Sequence, residues 1–439
     1  MEWWAFLLLF LGALVLLLLV RVPIAFAMLG VGTVASVIMF GGWDSGLQQV
    51  ALSAVQSIDS FVLTPVPLFI LMGEVLFRAG VAHDALQVLN RVLGRVPGRL
   101  PVLATGGGAL FGLLSGSTLA NTALFGSSLL PEMNRFGYSE RLSMGSILAS
   151  GGLAMIIPPS ALAVLWGAIA QVSVGPLLIA GIVPGLLMAV GYLVVIAYWS
   201  VALRGAPRDE EVARASRRET ARGLLRHVAP LALVILLVLG LIFFGIATPT
   251  ESAAVGALAA FGVVVLAGRL NRTTLRAAMV GTIQTNTMIF FIVAGSVLYS
   301  QLLSFSGATR GLIGAMTDAE LAPLLMLLLM MLAVLFLGAF LDQVSIMLVT
   351  IPLFMPIVEA QAWNPIWFGI LMLINLQIAG TTPPFGLNLF VMKGVAPPET
   401  RMGTVYLSAL PFIGSDLVVI GLLIAVPTLV TWLPGLMTT

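Results

Sequence analysis

The chain has 439 residues, 60% of them hydrophobic and only 9% charged, with a formal net charge of +2 and no cysteine. No soluble domain carries that balance, and no polar block separates the apolar stretches, so the composition points to one polytopic membrane unit without a soluble catalytic domain. Disulfides, thiolate metal sites and cysteine nucleophiles are excluded together, and the basic pI of about 9.3 comes from arginines in short loops beside apolar spans, a topology signal rather than a nucleic-acid footprint.

The opening MEWWAFLLLFLGALVLLLLV has no basic n-region and no small-residue cleavage site, so it reads as a first span that stays in the mature chain. Basic residues fall in blocks: Arg21; Arg78, Arg91, Arg95 and Arg99; Arg204 through Arg226; Arg269, Arg272 and Arg276; Lys393 and Arg401. Placing every block in the cytoplasm fixes a path. Trp3 to Val20 runs inward and Val22 to Phe40 outward. GGWDSGLQQVALSAVQSIDS lies as an amphipathic helix on the outer surface, and Phe61 to Phe77 returns inward. RGAPRDEEVARASRRETARGLLR mixes charge signs at helical spacing and reads as a solvated cytoplasmic connector. Val228–Gly245 and Ser252–Ala267 then go out and back, GRLNRTTLRAAMVGTIQ makes a basic surface helix on the cytoplasmic side, and Thr287 to Leu303 leaves again. His83 and His227 fall in basic loops, as solvated or interfacial residues.

The two halves therefore look alike and face opposite ways. Pro158-Pro159 and Pro383-Pro384 stand 225 residues apart (383 − 158), as do Pro131 and Pro356, and Ser117 and Asp342. An inverted repeat of this kind is the sequence signature of many secondary transporters.

Each half also carries an apolar segment that is interrupted. VLATGGGALFGLLSGSTLANTALFGSSLLPEM is split by SGSTLANT into flanks each too short to cross a bilayer, which predicts a re-entrant hairpin with Ser115, Gly116, Ser117, Thr118, Asn121 and Thr122 at its tip. LLMLLLMMLAVLFLGAFLDQVSIMLVTIPLFMPIV is split by Leu341-Asp342-Gln343 in the same way. After each hairpin comes a proline-broken helix, LAMIIPPSALA and IAGTTPPFGLNLF. Proline frees backbone carbonyls, and Gly151, Gly152, Gly380 and Gly386 allow close approach to the bare backbone. Free carbonyls with hydroxyl and amide oxygens suit Na⁺, while free N–H groups at half-helix N-termini suit a carboxylate. Irregular backbone at that depth is tolerated only where it is buried in protein or lines a wet cavity. Asp342 and Asp416 are isolated intramembrane acids with no arginine in the spans to pair them, and such acids are functional candidates.

SGSTLANTALFGSSLLPEMNRFGYSE with ASGGLAMIIPPSALAVLWG, and FLDQVSIMLVTIPLFMPI with NPIWFGILMLINLQIAGTTPPFGLNLFVMKGVAP, strongly resemble the large membrane subunit of tripartite ATP-independent periplasmic (TRAP) transporters, within the ion transporter superfamily. The resemblance covers essentially the whole chain. It implies an all-α, elevator-type importer of organic anions coupled to Na⁺ and needing no other cofactor. The division it implies is scaffold helices and arm over residues 1–100, a transport part over 101–200, a connector over 201–227, scaffold and arm over 228–320, and a transport part with the last helix over 321–439. It implies as partners a small four-helix membrane subunit, expected on a separate chain, and a soluble periplasmic substrate-binding protein, with the complex in the bacterial inner membrane. One Na⁺ is expected among Ser115, Ser117, Thr118, Asn121, Gly152, Ile156 and Pro158, and a second among Asp342, Gln343, Ser345, Gly380, Thr381 and Pro383. The substrate is expected near Asn121, Thr122, Pro159, Ser160, Thr382, Pro384 and Asn388. One departure is Asn121, which stands where many members carry an acid.

Two alternatives remain at this level. A binding-protein-independent Na⁺/dicarboxylate or arsenite-type carrier of the same superfamily shares the architecture. An intramembrane protease needs Ser–His or paired aspartates in the bilayer, but GLLSG departs from GxSG, both histidines lie outside the spans, and neither Asp342 nor Asp416 has a dyad motif. An ATP-driven pump is disfavoured because no GxxxxGK[ST] loop exists.

Overall fold

A computed structural model describes residues 3–20, 22–59, 61–94, 96–115, 118–203, 205–207, 216–318, 320–384 and 386–437. Among them every regular element is a helix. Six helices are long and apolar enough to cross a bilayer, or eight if two bent pairs each count as one span. The outer helices turn leucines such as Leu258 and Leu266 outward, at 72% and 89% exposure, as a hydrocarbon solvent permits.

In the first half, α1 (Trp3–Leu19) and α2 (Ile24–Met39) are followed by α3 (Trp43–Ile58), α4 (Pro65–Arg78) and α5 (Val81–Leu93). Next come the two limbs α6 (Arg99–Ser115) and α7 (Thr118–Arg135), the broken pair α8 (Glu140–Ile156) and α9 (Ala161–Ile169), and α10 (Val174–Ala180) with α11 (Ile182–Val201). A short α12 (Arg217–Gly223), opened by a Ser216–Glu219 capping box, leads through one π turn into the second half. That half contains α13 (Ala229–Phe243), α14 (Pro249–Leu266), α15 (Arg272–Phe305), α16 (Ala308–Asp318), α17 (Pro323–Leu337), α18 (Gln343–Ala360), α19 (Pro365–Thr381), α20 (Leu387–Val395) and α21 (Met402–Ala425).

The offset read from a few prolines extends through the fold. Both ends of α7 and α18 differ by 225 (343 − 118 and 360 − 135), as do both ends of α8 and α19 (365 − 140 and 381 − 156). Two elements depart from the expectation: His83 lies in helix α5 rather than in a basic loop, and the second surface helix and the span after it are a single 34-residue helix, α15. The cause is legible in retrospect. Pro65 and Pro67 open α4 and separate it from α3, whereas the equivalent positions in α15 are Phe290 and Ile292, which leave the backbone ladder intact.

At the centre lie α8 and α19, buried on every side from Leu142 to Ile156 and from Trp367 to Thr381. They pack against each other, with Gln377 Nε2 donating to Leu148 O at 3.3 Å. On one face of the molecule, Asp84 of α5 accepts from Arg269 Nη2 at 2.7 Å and lies 3.5 Å from His227 Nδ1, while Arg269 Nη1 donates to Ala79 O at 3.1 Å. These contacts gather three separate basic stretches of sequence at the 65° bend between α4 and α5.

Candidate functional site

The first limb pair is α6, ending at Ser115, and α7, starting at Thr118; Gly116 and Ser117 lie outside the described residues, as does the side chain of Ser115. Thr118, Asn121 and Thr122 occupy the first turn of α7 and are all buried. Asn121 points into the limb pair and the central helix: its Nδ2 donates to Gly108 O at 3.1 Å and to Ser150 Oγ at 3.0 Å. Among the described residues, Asn121 Oδ1 and Thr122 Oγ1 have no hydrogen-bond partner. Gly151 makes room for the tip, because a Cβ there would lie 3.1 Å from Thr118 Cβ. The neighbouring Gly152 faces the other way, towards Tyr192 and Gln377.

Between α8 and α9 the chain breaks at Ile157–Ser160, with a cis bond between Pro158 and Pro159. Ser160 caps α9, accepting from Ala163 N at 3.2 Å and donating to Met155 O at 2.6 Å. The Ile156 carbonyl lies against Gly181, where a Cβ would come within 2.3 Å of it. Pro159 borders a small apolar pocket beside Met72 and Leu76.

The second break has the same form. Asp342 caps α18, its carboxylate accepting from Val344 N at 3.1 Å, Ser345 N at 3.4 Å and the Ser345 hydroxyl. Beyond α19, the Pro383–Pro384 bond is cis. Here the hydroxyls turn back on the helix: Thr381 Oγ1 donates to Gln377 O at 3.0 Å and Thr382 Oγ1 to Ile378 O at 2.6 Å. Pro384 O accepts from Tyr406 at 2.7 Å. Gly386 packs on the Gly380 carbonyl, to which a Cβ would approach within 2.6 Å.

The two breaks meet. Thr118 Oγ1 donates to Gln343 Oε1 at 2.8 Å across a separation of 225 residues, and lies 3.5 Å from Asn388 Oδ1. That bond fixes the Gln343 amide, leaving Gln343 Nε2 without a partner, and Asn388 Nδ2 is equally unpartnered. Both nitrogens face Gly380, where a Cβ would sit 3.1 Å from the first and 3.2 Å from the second. An unsatisfied buried donor costs about 1–3 kcal/mol, and two of them lie side by side here.

The two nitrogens are themselves buried, but other atoms of Gln343 and Asn388 help line a cavity of about 470 Å³. One wall is Thr118, Asp342, Gln343, Gly380 and Asn388, from the tips and the second break. Facing it are Ile24, Ile70, Met288, Ile289 and Ile292, with Thr285 as a polar member, from α2, α4 and α15. The fold thus brings Thr118, Asp342, Gln343, Gly380 and Asn388 to one place. The structure puts Pro159 at the apolar pocket, Ser160 in a cap, and Thr382 and Pro384 in backbone contacts of their own. Asp416 is buried in α21 with Oδ1 unpartnered. It lies one turn after Phe412, which packs edge-on against Tyr192, and it does not border the cavity. The apolar wall escaped the sequence reading because isoleucines in spans carry no signal that separates a cavity lining from a lipid-facing stripe. Among the described residues no cluster of three His, Cys, Asp or Glu forms, so the donors present are hydroxyl, amide, carbonyl and single carboxylate groups.

Residues 11–429 match the family described as "Tripartite ATP-independent periplasmic transporter, DctM component". The chain belongs to this family. It is 31% identical over 412 residues to the Pseudomonas aeruginosa C4-dicarboxylate TRAP transporter large permease protein DctM, covering 93% of each. It is 30% identical to the isethionate TRAP transporter permease protein DctMQ of Oleidesulfovibrio alaskensis, covering 97% of this chain and 65% of that protein. Among solved structures, the Alcanivorax borkumensis YdaH transporter matches with a TM-score of 0.64 at 16% identity over 90% of each chain, a likeness of fold. As a TRAP large permease, the chain is a multi-pass membrane transporter subunit and not an enzyme.

Proposed function

We propose that this large permease imports an organic anion across a bacterial inner membrane, driven by a Na⁺ gradient. A periplasmic binding protein delivers the anion, and a small four-helix subunit completes the membrane complex. The observation that carries this reading is the Thr118–Gln343 contact at the cavity: two broken elements, one from each half, converge on a space that scaffold helices close from the other side. The names of the relatives, with a dicarboxylate and isethionate among their solutes, support an anionic substrate.

In this reading, Na⁺ draws on the oxygens that lack partners at the first break, Asn121 Oδ1 and Thr122 Oγ1, with carbonyls between Gly152 and Pro158. At the second break it draws on Asp342 with Ser345 and the backbone from Gly380 through Thr381 to Pro383. Hard oxygen donors of this sort at broken half-helices are what coupling ions use. Gln343 changes role: its oxygen is already taken by Thr118, and its free N–H suits the anion better than the cation. Transport proceeds as an elevator, with the limbs and broken helices (101–200 and 321–439) sliding past α2, α4 and α15. Uptake into proteoliposomes holding both membrane subunits, with the binding protein loaded, tests the reading. Uptake is expected only with an inward Na⁺ gradient. Equal uptake in a Na⁺-free, K⁺-only gradient, or without the binding protein, contradicts it.

A further inference from the structure

Helix α13 does not begin at its apolar run. With α12 and the π turn it forms one 26-residue helix from Arg218 to Phe243, whose opening turns carry Arg218, Arg222 and Arg226 at four-residue steps and so on one face. The other face is docked on α5: His227 Nδ1 lies 3.5 Å from Asp84, and Gly223 packs on Val88, whose methyls would lie 3.2 Å from a Cβ there. The three arginines are exposed, and with Ala221 and Leu225 they line a shallow hollow of about 550 Å³. Over eight residues the row climbs about 12 Å, enough to pass through a headgroup layer and just beyond it. The exposed stripe then runs on into the apolar part, where Leu225, Leu233 and Leu236 are 73%, 66% and 66% exposed. Charge follows the same division. Arg269 is held by Asp84 at 2.7 Å and Arg78 by Glu74 at 2.9 Å, while Glu219, the acid inside the row, turns back to Ser216 N at 3.1 Å. Across residues 204–226 seven arginines stand against four acids (7 − 4 = 3), so three positive charges remain even with every acid paired.

We propose that Arg218, Arg222 and Arg226 hold the phosphate headgroup of an anionic phospholipid, whose acyl chains lie along the leucine stripe of α13. Guanidinium groups match phosphate oxygens in geometry as well as charge. A cationic row directly above an apolar stripe joins the two attractions that such a lipid offers, whereas a soluble phosphate compound uses the row alone. A lipid seated there also braces the bend between α4 and α5, where His227 and Arg269 meet Asp84. The site is separate from the cavity, and it stands whichever solute the permease carries.

The test is native mass spectrometry of the purified permease complex in detergent, reading the first lipid bound as phosphatidylglycerol or phosphatidylethanolamine is titrated in. Phosphatidylglycerol is expected to bind at least about tenfold more tightly, and a tenfold excess of inorganic phosphate is expected to leave it in place. The combined change Arg218→Gln, Arg222→Gln and Arg226→Gln is expected to remove that preference. Arg91→Gln, Arg272→Gln and Arg276→Gln together take the same charge from other elements, and are expected to keep it within twofold. Leu225→Glu, at an exposed position where folding is not at stake, is expected to weaken phosphatidylglycerol at least about fivefold. Equal binding of the two lipids, an unchanged preference without the three arginines, or an equal loss in both triple variants overturns the inference. So does displacement by inorganic phosphate, which makes the row an anion site without a lipid.

Discussion

Replacing Asp342 by Asn and by Ala separates two jobs that one carboxylate performs. Asp342 caps α18 through Val344 N at 3.1 Å and Ser345 N at 3.4 Å, and it borders the cavity. Asparagine caps about as well as aspartate, so Asp342→Asn is expected to cost under about 0.5 kcal/mol of stability, and Asp342→Ala about 1 kcal/mol. The charge is a different matter. Unit charges about 4 Å apart at an effective dielectric near 20 attract by about 4 kcal/mol. Losing a third of that raises the half-saturating Na⁺ concentration about tenfold. The assay is uptake titrated with Na⁺, alongside thermal stability of each purified variant. Both variants are expected to need at least ten times more Na⁺, with only the alanine form measurably less stable. If Asp342→Asn shows wild-type Na⁺ activation, the carboxylate is a helix cap and nothing more, and the second cation site is refuted.

Thr118→Val keeps the shape of the side chain but leaves Gln343 Oε1 buried without its donor, a cost of about 1–3 kcal/mol; uptake should fall at least fivefold while Thr118→Ser restores it. Gly338→Ala places a Cβ 2.5 Å from Ala379 Cβ and 3.0 Å from its backbone, forcing α17 off α19, and should destabilise the purified chain by about 1–3 kcal/mol in a denaturant or thermal series. Asp84→Asn removes the ion pair with Arg269, whose side chain is 40% exposed. It should cost no more than about 1 kcal/mol, with the difference shrinking as salt is raised.

Much of the fold was legible because its determinants are local. Uninterrupted apolar runs mark the spans, and Pro158-Pro159 and Pro383-Pro384 mark the breaks. The fusion of two elements into α15 was also written in the sequence, as the absence of prolines at Phe290 and Ile292, but an absence is harder to read than a signal. Helix α5 was missed although VAHDALQVLNRVL alternates on a helical period, because arginines at Arg91, Arg95 and Arg99 made the stretch look like a loop. The site was only half legible. Thr118, Gln343 and Asn388 stand out as polar residues in apolar surroundings, but which atom of each amide is left free depends on Thr118, 225 and 270 residues away. The far wall, from Ile24 to Ile292, depends wholly on how three distant helices pack.

The central claim is that the broken-helix unit moves against the scaffold. Ser296 Oγ donates to Leu348 O at 3.3 Å, and among the described residues it is the hydrogen bond that joins α15 to α18, away from the cavity lining. The chain has no native cysteine, so Ser300→Cys with Met355→Cys, partly exposed residues of α15 and α18 that line one shared pocket, can be joined by a bifunctional thiol reagent without background. Measured in proteoliposomes with the loaded binding protein, cross-linked complexes should lose uptake while each single variant treated the same way keeps it, and a cleavable reagent should return activity when cut. Cross-linked complexes that carry the anion at the rate of untreated ones would show that α15 and α18 do not part during transport.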